Sequence, residues 1–175
     1  MLENKNIKLR ALEASDLDLL YEWENNTDIW SISNTLSPFS KHILKQYLEN
    51  SHLDIYQTKQ LRLIIDLKKK ENNIPIGTID LFDFDPFHLR AGIGILIYSE
   101  ENRNKGYATE ALELLINYSF NYLGLHQLYC NIASDNMKSI KLFTKAGYDI
   151  VGEKKDWIKS NKGWINEYIL QIINK

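Results

Sequence analysis

The chain has a single cysteine, Cys130, among its 175 residues, so no internal disulfide is available to it. Cys130 lies in the apolar, strand-like run Gln127-Leu128-Tyr129-Cys130-Asn131-Ile132 and reads as a buried structural thiol. The sharper alternative is an acyl-carrying nucleophile. No run approaches the roughly 18 apolar residues of a membrane span, and the first residues, Met1-Leu2-Glu3-Asn4-Lys5-Asn6, carry no apolar secretion segment. The expectation is a cytoplasmic protein with no membrane partner. Charge of one sign is also missing: 21 Lys and Arg face 23 Asp and Glu, a net charge of −2, which excludes a general attraction to nucleic acid. No Gly-x-x-x-x-Gly-Lys-Ser/Thr loop is present, which argues against nucleoside triphosphate binding. With His42, His52, His88 and His126 scattered and Cys130 alone, no metal site is expected. There is no internal repeat, linker or low-complexity segment.

What the chain does have is a length suited to one domain, residues 1–175, around one sizeable core. Its organising stretch is residues 93–109. Ile93 to Tyr98 is an apolar, β-branched run that reads as a buried central strand. After a polar turn come Arg103, Asn104, Lys105 and Gly106, and then Ala108, Leu112, Leu115, Ile116 and Ser119 recur at helical spacing. A strand therefore feeds a helix through a basic loop that contains a glycine. The first N–H groups of a helix lack internal partners and sit at the positive end of its dipole, so this corner can hold a phosphate, and a pyrophosphate is the favoured ligand. Gly106 permits close backbone approach, while Arg103 and Lys105 add charge.

Around this stretch, Ile7, Leu9 and Ala11 alternate as a first strand. Ser15 caps a helix with Leu17, Leu19, Leu20 and Trp23 on its apolar face, ending near Asn25 and Asn26. Residues 27–36 read as loop. A second helix starts at Ser37-Pro38-Phe39-Ser40 and runs to about Leu48. Gln60 to Leu67 is a second strand, the lysines of 68–70 a solvated turn, and Pro75 to Asp85 a third strand. A regular pleat puts Asp80, Phe82 and Phe84 on one of its faces, with Ile79, Leu81, Asp83 and Asp85 on the other. A fourth strand returns from Phe87 through a turn at Pro86. Leu125 to Ala133 is a fifth strand, parallel to the fourth because a whole helix separates them. A helix from Met137 to Ala146 ends at Gly147, in the left-handed cap position. Tyr148 to Trp157 and Gly163 to Ile173 close the sheet, joined through residues 159–163.

Two segments carry a family resemblance. Arg103-Asn104-Lys105-Gly106-Tyr107-Ala108 resembles the Arg/Gln-x-x-Gly-x-Gly/Ala signature with which the GNAT superfamily of N-acetyltransferases grips the pyrophosphate of acetyl-CoA. Asn136, Ser139, Leu142, Phe143, Lys145, Gly147 and Tyr148 resemble the Asn-x-x-Ser/Ala-x-x-Leu-Tyr/Phe-x-Lys-x-Gly-Phe/Tyr segment that follows it. The likeness spans most of the chain and leans toward the RimJ/RimL-like and spermidine N-acetyltransferase branches. It implies an α/β (or α+β) fold: one GNAT-type domain with a mixed, mostly antiparallel sheet of about seven strands. A central parallel pair splayed for CoA and about four flanking helices complete it. By the same resemblance, residues 103–108 hold the pyrophosphate, and Ile95, Leu96 and Ile97 run beside the pantetheine. Asn136, Ser139 and Phe143 line its far side. Asn131 either bonds the pantetheine or is a plain strand position.

The reaction implied is attack of a neutral primary amine on the thioester, which needs a proton acceptor and an oxyanion donor. Two departures stand out. Gly92 occupies the place of a common glutamate base, and Phe143 that of a tyrosine acid. Water-relayed proton removal through Asp80, Asp83 or His88 is the substitute base, although His88 also fits a plain surface position. No general acid is identified. Asp80, Asp83 and Asp85, followed by His88, resemble the acidic pattern of spermidine acetyltransferases, which favours a polyamine or diamine acceptor; the alternative is a solvated hairpin rim. Trp30 either walls the substrate site or plugs the space beneath its loop. The runner-up acceptor is a protein N-terminus, and a reading of another class is a non-catalytic CoA-binding module. Self-association is left open.

Overall fold

The computed structural model describes residues 2–33, 35–161 and 163–175, and the side chains of all of these but Ser31 and Ile32. In chain order the elements are β1 (Ile7–Arg10), α1 (Leu17–Glu24), α2 (Trp30–Ser33), α3 (Lys41–Glu49), α4 (Ile55–Thr58), β2 (Leu61–Leu67), β3 (Ile74–Asp85), β4 (Arg90–Ile97), α5 (Tyr107–Asn121), β5 (Gln127–Ala133), α6 (Met137–Lys145), β6 (Asp149–Ser160) and β7 (Gly163–Ile173). The seven strands form one sheet in the order β1-β2-β3-β4-β5-β7-β6. Every pairing is antiparallel except β4 with β5, where α5 provides the crossover.

Alternation along β2 sends side chains to two separate cores. Leu63, Ile65 and Leu67 join the larger cluster, together with Leu112 and Leu115 of α5 and Phe143 of α6. Ile64, pointing the other way, joins Leu20 and Trp23 of α1, Leu44 and Leu48 of α3, and Tyr98. The sheet therefore carries α5 and α6 on one face and the first helices on the other, which makes it a three-layer α/β domain.

Several sequence expectations are corrected. Residues 27–36 are not all loop: a 3₁₀ turn, Thr27–Ile29, leads into α2, because the Asn26 side chain accepts the Asp28 N–H and starts the turn. Ser15 is not the cap of the first helix, since it lies inside a 3₁₀ turn, Ala14–Asp16, with Glu13 and Asp16 in a capping box. Six α-helices appear among the described residues, two of them only four residues long, where about four were expected. The fourth strand begins at Arg90 and not at Phe87, because Asp85 accepts the Phe87 and His88 N–H groups and turns the chain there.

The pleat of β3 is also broken. Its register against β4 shifts between Phe82 and Asp85, and Asp83 takes a left-handed φ of 48°. The bulge turns Phe84 into the core with Ile79 and Leu81, and leaves Asp83 exposed on the surface. Elsewhere the chain behaves as its pattern predicts: Gly147 is left-handed at φ 96°, and β6 and β7 form a long hairpin. Lys162, in the turn expected between them, lies outside the described residues, as does Asn34 in the segment after α2.

Candidate active site

The site begins with a failure of pairing. β4 and β5 are in register only at Arg90 with Gln127, Ala91 with Leu128 and Gly92 with Tyr129, yet β4 continues to Ile97 and β5 to Ala133. Each strand keeps its outer partner, β3 and β7 respectively. The central pair therefore opens like a V beyond Gly92 and Tyr129. Its mouth leaves main-chain groups of Ile93, Gly94 and Ile95 without a neighbouring strand on that side, and these residues line the space between the strands.

Two cavities meet at this opening. One, of about 770 Å³, lies toward β5 and α6 and is lined by Cys130, Asn131, Asn136, Ser139 and Phe143, with Trp30 across from them. The other, of about 820 Å³, lies toward α1, α3 and β3 and is lined by Glu24, Tyr47, Arg62, Asp80, Phe82 and Tyr98. Asn131 and Glu167 line both. No general acid or metal cluster is needed to describe the walls; among the described residues no group of three His, Cys, Asp or Glu is placed to hold a metal ion.

From the end of β4 the chain turns through residues 99–106 into α5. Arg103 bends back to donate from Nε to the Ile97 carbonyl at 2.9 Å and from Nη2 to the Tyr98 carbonyl at 3.1 Å. Its side chain ties the loop to the strand end. Gly106, at φ 88°, is the N-cap of α5, and the first helical bond runs from the Glu110 N–H to its carbonyl at 3.0 Å. The N–H groups of Tyr107, Ala108 and Thr109 precede that bond and so have no acceptor within the helix. Asn104 and Lys105 are exposed, and residues 103–108 lie outside both cavity walls.

On the other side of the opening, Arg62 organises the charge. It donates to Asp80 at 2.8 and 3.0 Å through Nε and Nη2, and to Glu24 at 2.7 Å through Nη1. Burial works against the Arg62 charge and the Asp80 carboxylate more than restores it, so the guanidinium pKa lies above its ordinary value. Burial likewise raises the Tyr98 and Tyr47 phenols, and Tyr98 stacks on Trp23 with ring centres 4.2 Å apart. Cys130, 2% exposed, has its thiol pushed up to about 12 by burial, which leaves it without nucleophilic thiolate at neutral pH.

The structure scatters the acidic pattern expected on the third strand. Asp80 lines the α1-side cavity. Asp83 accepts from the Tyr129 hydroxyl at 3.2 Å, and Asp85 pairs with Arg90 at 3.2 Å while closing its turn; neither lines a cavity. His88 sits on that turn with its ring edge-on to Phe87, so Asp80 and His88 are not brought together. Trp30 donates to the Glu24 carbonyl at 2.9 Å, and it lines the cavity toward β5 and α6, not the one toward α1, α3 and β3. Sequence reasoning missed Glu24, Arg62 and Glu167. Glu167 carried a signal, being a charged residue within the apolar run of β7.

Comparison with known proteins decides the family. A model of the acetyltransferase (GNAT) domain matches residues 6–149. The chain belongs to the GNAT acetyltransferase family. The spermidine N(1)-acetyltransferase of Vibrio cholerae is 30% identical to it over 145 residues, covering 83% of this chain and 80% of that protein. The crystal structure of the Vibrio cholerae spermidine N-acetyltransferase with CoA and spermine matches this acetyltransferase with a TM-score of 0.82 at 26% identity, over 97% of this chain and 96% of the other. A dodecameric structure of the same enzyme matches with a TM-score of 0.79 at 26% identity, over 97% and 95% of the two chains. No helix among the described residues of this acetyltransferase is long and apolar enough to cross a membrane.

Proposed function

We propose that this acetyltransferase moves the acetyl group of acetyl-CoA to a primary amine of a cationic small molecule, a polyamine or diamine. The observation that carries the reading is the opening between β4 and β5, which joins two cavities of different chemistry. The side lined by Asn131, Asn136, Ser139 and Phe143 is neutral enough for a pantetheine arm. The free N–H groups at the start of α5, with Asn104, Lys105 and Gly106, suit its pyrophosphate. Ile95 borders the arm, whereas Leu96 lines only the opposite cavity and Ile97 is buried in the core; Tyr107 and Ala108 contribute amides. Arg103 serves this loop by anchoring it, since its guanidinium is engaged by β4 carbonyls.

The opposite cavity is charged. Glu24 and Asp80 share Arg62, which leaves that cluster at one net negative charge, and Glu167 adds a further carboxylate beside Lys154. An ammonium is attracted to such walls. The spermidine-acetylating relatives support this acceptor class, and the dodecameric relative supports self-association.

The amine must lose a proton to attack, and the main-chain N–H groups of β4 freed by the splay are the donors we assign to the carbonyl oxygen. Phe143 offers no proton to the leaving thiolate, which leaves to solvent or water unaided. The test is thiol release on mixing the protein with acetyl-CoA and spermidine, spermine or a peptide with a free N-terminus. Turnover on the polyamines is expected. Tight CoA binding by calorimetry without turnover on any amine overturns the reading in favour of a binding module. In Gly106→Val, a β-branched residue at φ 88° should remove CoA binding; unchanged affinity in that variant misplaces the pyrophosphate.

A further inference from the structure

We propose that Glu167 is the base that takes the proton of the attacking amine. The inference rests on the acetyl-transfer reading above and concerns a residue that the sequence motifs do not include.

The position of the glutamate found on the fourth strand of many relatives is closed to a carboxylate here. A Cβ built on Gly92 falls 2.2 Å from Cε2 of Phe82, whose ring fills the space. The base must therefore come from another strand. Among the described residues, the carboxylates lining the cavities are Glu24, Asp80, Asp135 and Glu167. Both oxygens of Asp80 are bound by Arg62, and Glu24, which gives Oε1 to the same guanidinium, lines only the cavity toward α1 and α3, away from the meeting point of the two. Asp135 lines only the donor-side cavity.

Glu167 differs in place. It lines both cavities, where the amine has to meet the thioester. The β5–β7 register sets it opposite Ala133, two residues beyond Asn131, which also lines both. Its side chain is 11% exposed. Oε2 receives the Lys154 ammonium at 2.7 Å, and among the described residues Oε1 accepts no hydrogen bond. One carboxylate oxygen is thus fixed and the other is available.

The step balances without a further reactant. The amine lone pair forms the N–C bond to the acetyl carbon, the N–H proton passes to Oε1 of Glu167, directly or through one water, and the C–S bond breaks to release CoA thiolate. The proton then leaves Glu167 for the thiolate or solvent. Lys154, from β6, holds Oε2 at 2.7 Å and so orients the carboxylate with Oε1 toward the opening. The other charged groups that face this space are Lys159 of β6 and Asp135 on the donor side, and Arg62, Glu24 and Asp80 across the acceptor cavity.

The experiment is the pH dependence of kcat for spermidine in wild type, Glu167→Gln and Glu167→Asp, with CoA affinity measured by calorimetry as a control on folding. Glu167→Gln should lower kcat by roughly 10²–10⁴-fold and abolish the acidic limb of the profile, with CoA affinity unchanged. Glu167→Asp should recover part of the rate. A folded Glu167→Gln that keeps the wild-type limb, whatever its rate, overturns the proposal. If Glu167→Gln does not fold, a folded Glu167→Asp with the wild-type kcat and profile overturns it instead. Wild-type protein that acetylates no amine overturns the transfer reading itself, and this assignment with it.

Discussion

Two arginines in this chain do the same ionic chemistry in different places. Arg10, on β1, donates to both oxygens of Asp16 at 2.7 and 2.9 Å and to Asp66 at 2.9 Å. Arg62, on β2, does the same for Asp80 and Glu24. The arginines are 23% and 21% exposed, so burial does not distinguish them. Surroundings do: the Arg62 cluster forms a cavity wall, whereas no member of the Arg10 cluster lines a cavity. Pairing alone does not mark a carboxylate as functional; the space beside it does.

The largest effect that tests this contrast is removal of either arginine. Arg10→Met and Arg62→Met each strand two carboxylates, and each should cost about 3–5 kcal/mol in urea or thermal unfolding. Catalysis should then separate them. Without Arg62 the acceptor cavity becomes more negative, so the KM for spermidine should fall, while Arg10→Met should leave it where it was. Equal KM changes in the two variants would erase the distinction between scaffold and site.

A smaller and more local contrast lies within β4. Gly92 and Gly94 are two residues apart on one face, and both look toward Phe82. A Cβ at Gly92 meets that ring at 2.2 Å, one at Gly94 only at 3.8 Å. Gly92→Ala should therefore cost about 1–3 kcal/mol by overpacking, with Gly94→Ala close to neutral. Replacing Phe82 with a smaller side chain should recover the first loss. Similar unfolding midpoints for the two glycine variants would show that Phe82 does not occupy the space, and would reopen β4 as a source of the base.

The loop-to-helix corner at Gly106 was legible in the sequence and most of the charged cavity wall was not, for a physical reason. The splay, the Gly106 turn and the start of α5 are main-chain features, carried by contiguous residues whose spacing survives as a motif. The acceptor walls are side chains from α1, β2, β3 and β7, joined by ion pairs such as Glu24 with Arg62 across 38 positions, and no local spacing encodes them. Where local pattern did mislead, one residue was responsible: the bulge at Asp83 reversed the face of Phe84. The short helix α2 was hidden in the same way, since it is set by the Asn26 turn and not by apolar periodicity.

The smallest effect concerns the scaffold cluster and pH. Burial works to raise the Asp16 pKa, but the Arg10 hydrogen bonds and the Glu13 N–H outweigh it, so the carboxyl lies below its ordinary value. A carboxylate with a depressed folded pKa adds stability that is fully present above the unfolded value, near 4, and is lost as pH falls through the folded one. Asp16→Asn removes that linkage. Its unfolding free energy should sit below wild type at pH 7, and the gap should narrow as pH drops below about 4, where wild type also loses the charge. Because Asp16 borders no cavity, the pH profile of kcat should not change in this variant, whereas Glu167→Gln changes it. A stability gap independent of pH would show that Asp16 acts through packing and not through its pairing with Arg10.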